Sequence, residues 1–421
     1  MRKINTHRFV RATRGTPRAV NRQIVLNLVR EHQPISRADL ARRMDVGRGM
    51  VTSLVDELLG EGSVCEGAAV DAPRGRRPTM LYVRTRGRFV VAADVRFSRT
   101  YVVFTDLGGA RLATAAFDTV TDPAALVEAL VARIRGLLDA HGAGDGARDG
   151  GRGADRCEGV GVVVPGMVDQ HTGRVIFSPQ LGWRDIPLRD ALADALADAL
   201  GVPVHLENAP VACALAHMWF APRGREAPSD FAYVTVSDGV GVGLVVNGEV
   251  VRGHGNTAGE FGHVPLTATS GPRCLCGATG CLEAYTSNLA TLSRYLGEEL
   301  AAPHTRQLLQ QTGLTLGARI ARARDGDARA RAALDETGRW LGTGLAVLIN
   351  GLNPAQIVLG GEITAAWDRI APLVREVIAS RALTPAAAAT PIVPEPPDEH
   401  PRLRGATALA AAPLYAAPAV A

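Results

Sequence analysis

Hydrophobic positions in the first ninety residues fall into short blocks of helical period. Val20, Ile24, Val25, Leu28 and Val29 lie on one stripe, which predicts an amphipathic helix over residues 18–32. Pro34 ends it. Ser36 followed by Asp39 forms a capping-box start for a short second helix carrying Leu40, Ala41 and Met44. After a turn at 45–47, Val51, Leu54, Val55 and Leu58 recur at i, i+3, i+4, i+7 and predict a third helix ending near Gly60. Arg48, Thr52 and Ser53 point away from that stripe near the helix start, where a recognition helix meets base edges in the major groove. Residues 62–66 and 79–83 alternate like two short strands, and the turn-rich stretch 72–78 between them sets Arg76 and Arg77 beside Gly75. Such a basic wing can track phosphates or enter a narrow minor groove. The pattern is that of a winged helix-turn-helix over residues 18–83, after a flexible segment 1–17, and its expected partner is DNA.

Beyond residue 84 the period changes. Apolar, β-branched-rich runs at 89–94, 101–105 and 110–117 precede a helical stretch at 123–140, and another buried run at 160–164 ends in Pro165-Gly166. Residues 141–156, rich in Gly, Asp and Arg, carry no hydrophobic pattern and read as a flexible surface loop. A second strand-led unit begins near Phe231 and passes through Ser237-Asp-Gly-Val-Gly-Val-Gly243 into another strand. Two similar α/β units predict a two-lobed body with a ligand cleft between them.

Charge separates the two regions. Residues 1–90 hold 18 Lys/Arg against 8 Asp/Glu, a net of +10, so the remainder of a chain of net +4 carries −6. A basic small domain on an acidic larger one supports nucleic acid as the partner of the first alone. Of the 46 basic residues only Lys3 is lysine, which excludes Walker A, Schiff-base and protein-kinase lysine chemistry. No apolar run is long enough to span a membrane and the Arg-rich start lacks a signal-peptide core, so no membrane partner and a cytoplasmic location are expected.

His263, Cys274, Cys276 and Cys281 make the sharpest constellation. Three thiolates and one imidazole fill a tetrahedral zinc shell with no open position, so the predicted zinc is structural. A disulfide conflicts with a cytoplasmic chain, and three cysteines within eight residues argue against inert thiols. Cys65, Cys157 and Cys213 have no partners at metal spacing and are expected as buried thiols.

Taken together, Ser36-Arg-Ala-Asp-Leu-Ala, Gly75-Arg-Arg-Pro78, Glu207-Asn208, the run 253–263, the cysteine motif with Glu283, and Asn353-Pro354 with Gly360-Gly361 make the chain from about residue 18 resemble a ROK-family transcriptional regulator. This is the type that includes the xylose and N-acetylglucosamine repressors. The resemblance implies an actin-like, ribonuclease-H-like α/β body: a first lobe over 84–206 completed by a last helix within 400–421, and a second lobe over 207–399 holding the zinc site. It also implies a sugar or sugar-phosphate effector held by Asn208, Glu260, His263 and Glu283, with Gly166 as a place of close backbone approach. Glu260 has a second reading, as a partner that only orients His263.

The family's pattern also breaks in three places. The aspartate that follows the asparagine in family kinases is Ala209 here, and a methyl group cannot act as a general base. The Asp-x-Gly-x-Thr phosphate loop reads Asp94-Val-Arg-Phe-Ser98, without its glycine, and the Gly-Thr-Gly loop begins Ser237-Asp-Gly239. These losses point to a sensor without turnover. The expectation is a sugar-responsive DNA-binding regulator, a repressor rather than an activator, acting on a palindromic operator as a homodimer or homotetramer. Two rivals are an ATP-dependent hexose kinase with an accessory DNA-binding domain, and a scaffold that binds neither sugar nor DNA.

Overall fold

The computed structural model describes residues 18–67, 78–140, 156–220, 228–267, 270–297 and 314–416. The expected N-terminal segment, the wing residues Arg76 and Arg77, and nearly all of the loop expected at 141–156 lie outside the described residues.

Among the described residues, the N-terminal domain holds three helices, Arg18–His32, Arg37–Met44 and Arg48–Gly60, beside an antiparallel sheet of strands β1 (Ile35–Ser36), β2 (Val64–Gly67) and β3 (Met80–Val83) in the order β1-β3-β2. Ser36 and Asp39 form the capping box that starts the second helix, with the Asp39 amide donating to Ser36 Oγ at 3.1 Å. Hydrogen bonds from Ser36 hold the Asp39 carboxyl below its usual range. Val51, Leu54, Val55 and Leu58 are all buried, as the stripe requires. Strand β1 was not legible, because two residues are too few for a period.

Among its described residues, the body contains two five-stranded sheets. The first comprises β4 (Arg88–Val95), β5 (Arg99–Asp106), β6 (Arg111–Asp118), β7 (Arg156–Val164) and, after a small antiparallel sheet of β8 (Met167–Asp169), β9 (Arg174–Ser178) and β10 (Trp183–Ile186), the strand β11 (Val204–Asn208). Its order is β6-β5-β4-β7-β11. The second holds β12 (Phe231–Val236), β13 (Val240–Val246), β14 (Glu249–Val251), β15 (Gln356–Gly360) and β16 (Ile392–Pro394) in the order β14-β13-β12-β15-β16. In each, the first three strands run antiparallel and the last two pair parallel, so the same topology occurs twice.

Helices cover both faces of the first sheet, which is why β4 and β7 read as near-continuous apolar runs. Helices Pro123–Ala140 and Leu188–Leu196 pack on one face, through Leu126, Leu130, Leu188 and Leu192. On the other, Ala209–Phe220 packs against Pro401–Ala411. A Cβ at Gly161 of β7 would lie 1.9 Å from the Ala406 carbonyl, so only glycine lets that last helix sit so low. It spans Pro401–Ala411, inside the range 400–421, and its contacts with the sheet are with β4, β7 and β11.

The lobe boundary needs correction. Strand β11 pairs in parallel with β7, Asn208 opposite Val164, which carries Glu207 and Asn208 into the first sheet and past the break expected after residue 206. The following helix, Ala209–Phe220, lies between that sheet and β13. We therefore place the change of lobe after Phe220.

Candidate functional site

Glycines build one wall of the cleft. The run 259–263 lies along β13: a Cβ on Gly259 would meet the Val242 carbonyl at 2.0 Å, and one on Gly262 the Val240 carbonyl at 1.9 Å. Held this close, the backbone fixes Glu260 and His263 on the same short turn, Phe261–His263. The cysteine loop folds back onto it through the isolated bridges Pro265 to Cys281 and Arg273 to Thr279.

His263, Cys274, Cys276 and Cys281 offer ligand atoms that all lie within 4.8 Å of one another. Cys274 Sγ is 3.5 Å from His263 Nδ1, and Cys276 Sγ is 3.9 Å from Cys281 Sγ. A tetrahedral ion with Zn–S of about 2.3 Å and Zn–N of about 2.0 Å separates its ligand atoms by about 3.5–3.8 Å, so the residues fit a metal of that kind. Burial pushes the Cys274 and Cys281 thiols up, a cost that metal binding offsets by displacing their protons.

Glu260, His263 and Glu283 come together around that cluster. Glu260 Oε2 is 3.8 Å from His263 Nε2, the ring nitrogen turned away from Cys274. Glu283 Oε1 lies 3.6 Å from Cys274 Sγ, and its Oε2 accepts the Val240 N–H at 2.9 Å. Burial raises both carboxyls above their usual range. Asn208 stands on the first lobe, where its Oδ1 accepts the Val211 N–H at 3.1 Å and caps the next helix. Beside it, Glu207 receives Arg252 of the second lobe at 2.6 Å, which brings this end of β11 to the cleft. Gly166 has φ of 104°, and a Cβ there would lie 2.3 Å from the Phe177 carbonyl, so packing on β9 already accounts for the glycine.

Three participants were not foreseen. Gln180 reaches from the first lobe to Gly239, where a Cβ would lie 2.3 Å from its Nε2 and 2.8 Å from Glu283 Oε2. The other two sit where the phosphate loops face each other. Asp94, fully buried, accepts Arg96 Nε at 2.6 Å and Arg402 Nε at 2.7 Å. Arg96 Nη1 then crosses to Glu362 Oε1 at 3.2 Å, and Glu362 Oε2 accepts Asn288 Nδ2 at 3.0 Å. Despite its burial, Asp94 is held below the usual carboxylate range by Arg402 and Arg96. Asp238 moves the other way: burial, reinforced by Glu362, raises it to about 6. No local pattern marks Arg402 or Glu362 as partners of Asp94 and Arg96, because 266 or more residues separate them.

On the N-terminal domain Arg48, Thr52 and Ser53 are exposed along one side of the third helix. Thr52 Oγ1 donates to the Arg48 carbonyl at 2.9 Å, and Ser53 Oγ accepts from Arg18, whose guanidinium also pairs with Glu57. The first helix is tied to the end of the chain. Gln23 Nε2 donates to the Leu414 carbonyl at 2.9 Å and Asn27 Nδ2 to that of Tyr415 at 2.8 Å. The Arg30 guanidinium lies 4.3 Å from the Trp219 ring centroid and 5.1 Å from that of Tyr415. Among the described residues, no helix is long and apolar enough to cross a membrane.

Comparison with known proteins agrees with this geometry. The ROK family model matches residues 146–412. A xylose repressor of Bacillus subtilis (strain 168) is 28% identical over 86% of this chain and 87% of its own. A solved ROK family transcriptional regulator, a homologue of the E. coli MLC protein, superposes with a TM-score of 0.75 at 25% identity, covering 94% of this chain and 96% of that one. A ROK family glucokinase from Streptomyces griseus, solved with glucose and AMPPNP, gives a TM-score of 0.61 at 26% identity over 77% of this chain and 97% of its own. The family match alone spans more than half of the sequence, and the chain belongs to the ROK family.

Proposed function

We propose that the protein is a sugar-responsive transcriptional repressor whose ROK body senses its effector without phosphorylating it. The observation that carries the reading is the pairing, in one chain, of a winged helix-turn-helix with a kinase-like cleft in which Asp94 and Arg96 of one phosphate loop are linked through Glu362 to Ser237 of the other. Xylose-repressor relatives that align over most of the chain support it.

In this reading Asn208, Glu260, His263 and Glu283 bind adjacent sugar hydroxyls, with the Gly166 backbone and Gln180 on the opposite side. Carboxylates accept from hydroxyls, and an amide both donates and accepts. With Nδ1 turned to the cysteines, His263 offers Nε2–H as a donor to a sugar oxygen. Zinc, held by His263, Cys274, Cys276 and Cys281, would serve as a structural cross-link and fix the loop bearing Glu283. Ala209, buried at the head of its helix, offers no base to take a hydroxyl proton, so no phosphoryl transfer follows.

DNA is bound by Arg48, Thr52, Ser53 and the wing residues Arg76 and Arg77, with two winged helices of a homodimer, alone or within a homotetramer, reading the half-sites of a palindromic operator. The test is selection from a random duplex pool. The full chain should enrich one sequence, lose it when residues 1–83 are removed, and release it on addition of one sugar from a panel of pentoses, hexoses, amino sugars, their phosphates and their disaccharides. Replacing Arg76 and Arg77 by Ala should weaken binding on every sequence, whereas Arg48→Ala should also relax preference. Enrichment that survives removal of residues 1–83 would overturn the DNA assignment.

A further inference from the structure

A cavity of about 830 Å³ opens on the second lobe beside the cysteine loop. Glu283, a carboxylate of the proposed sugar site, forms part of its wall. Asp238, Tyr285, Ala290, Arg294 and Trp340 are among its other lining residues. That volume lies toward the upper end of the roughly 300–1,000 Å³ of ordinary ligand pockets and exceeds what a single sugar ring fills.

The walls have the chemistry of a carbohydrate site. Tyr285 and Trp340 stack with ring centroids 4.0 Å apart. Trp340 Nε1 donates to Glu336 Oε1 at 2.7 Å, which fixes the indole. Flat aromatic surface of this kind covers the C–H face of a pyranose. Arg294 gives one nitrogen to the Tyr285 carbonyl at 2.8 Å, while its Nε is buried without a hydrogen-bond partner. Burial lowers this guanidinium to about 10. A buried donor left unpaired costs free energy that an acceptor on a ligand would recover. Asp238, also on the wall, supplies an acceptor.

We propose that the effector is a disaccharide, with one sugar unit held at Glu260, His263 and Glu283 and the second, joined past Glu283, seated in this cavity. The proposal rests on the sugar-sensor reading and narrows it from sugars in general to those with two rings.

Calorimetric titration of the full chain with xylose and xylobiose, glucose and cellobiose, and N-acetylglucosamine and chitobiose separates the two claims. One disaccharide should bind at least about tenfold more tightly than its own monosaccharide, a gain of about 1.4 kcal/mol. Ala290→Trp fills the cavity and should abolish that advantage while leaving monosaccharide affinity within about twofold. Trp340→Ala, which removes the platform without filling the space, should likewise cost the disaccharide and spare the monosaccharide. Monosaccharides that match or exceed their disaccharides on the unmodified protein would overturn the proposal and leave the sensor reading intact. So would an advantage that survives both substitutions. If no sugar of either size binds, the sensor reading fails and this proposal with it.

Discussion

Arg96 of the first lobe reaches Glu362 of the second at 3.2 Å while holding the buried Asp94 at 2.6 Å, and Glu362 in turn accepts from the Ser237 side chain, so the stretches 94–98 and 237–239 are linked through one carboxylate. A nucleotide entering here would have to break that link and bring its negative charge beside Asp94, Glu362 and Asp238. With ATP, magnesium and a binding sugar, the purified protein should release no ADP above background. Sugar-dependent ADP release that tracks the protein through purification would contradict this. Arg96→Ala should cost about 1–3 kcal/mol in urea denaturation, because Arg402 still pairs with Asp94. Removing both arginines leaves a buried carboxylate alone and should cost more than the sum of the single changes.

Asp238 gives the cleft a pH dependence of definite sign. Its carboxyl is raised from 3.8 to about 6, first by burial and then by Glu362, against the opposing pull of Arg96, Arg402 and the Asn288 amide. The folded state therefore binds this proton more tightly than the unfolded state. Its stabilising contribution is present at low pH and is lost as pH rises through about 6. Asp238→Asn should consequently gain melting temperature relative to the unmodified protein at pH 7.5, and that gain should shrink by pH 5. A gap that does not change with pH would refute the assignment.

The cysteine cluster predicts about one zinc per chain by metal analysis. Cys276→Ser should lower metal content and, by loosening the loop that carries Glu283, weaken sugar binding in parallel. Normal sugar affinity in a metal-free preparation would separate the two and remove the structural role.

Much of this was legible in the sequence because it is local. The capping box at Ser36 and Asp39, the buried stripe from Val51 to Leu58, the helix at Pro123–Ala140 and the clustered cysteine ligands each lie within one element or one loop. What could not be read depends on distant parts of the chain meeting. Arg402 on Asp94, Gln180 beside Gly239, and Asn27 on the Tyr415 carbonyl leave no periodic trace. The lobe boundary was missed for the same reason: β11 has only Val204 and Leu206 as apolar residues, too few to show a period, and only its pairing with β7 assigns Asn208 to the first sheet. Gly166 shows the converse, a residue legible as special whose glycine is already required by contact with β9.

The joint between sensor and DNA-binding domain follows from one such distant contact. The chain itself joins the two through the short segment between β3, which ends at Val83, and β4, which starts at Arg88; Arg30 between Trp219 and Tyr415 supplies a second link, reinforced by Gln23 and Asn27 on the final residues described. A movement of the first lobe would thus reach the first helix through both ends of the body. Arg30→Ala should leave sugar binding unchanged and operator binding nearly so, while reducing the effect of each on the other. Release by sugar that is undiminished in this variant would mean that the chain end carries no signal.

Coupling between sugar and operator is reciprocal: the factor by which sugar weakens operator binding equals the factor by which operator weakens sugar binding. Couplings of about 1–3 kcal/mol, or roughly 5- to 150-fold, are typical. The direct test is an operator titration with and without saturating sugar, on the unmodified protein and on Glu260→Ala. The unmodified protein should bind operator at least about fivefold more weakly with sugar. Glu260→Ala should give one curve under both conditions, at the affinity of the sugar-free unmodified protein. Identical curves for the unmodified protein, with sugar binding independently confirmed, would contradict the account.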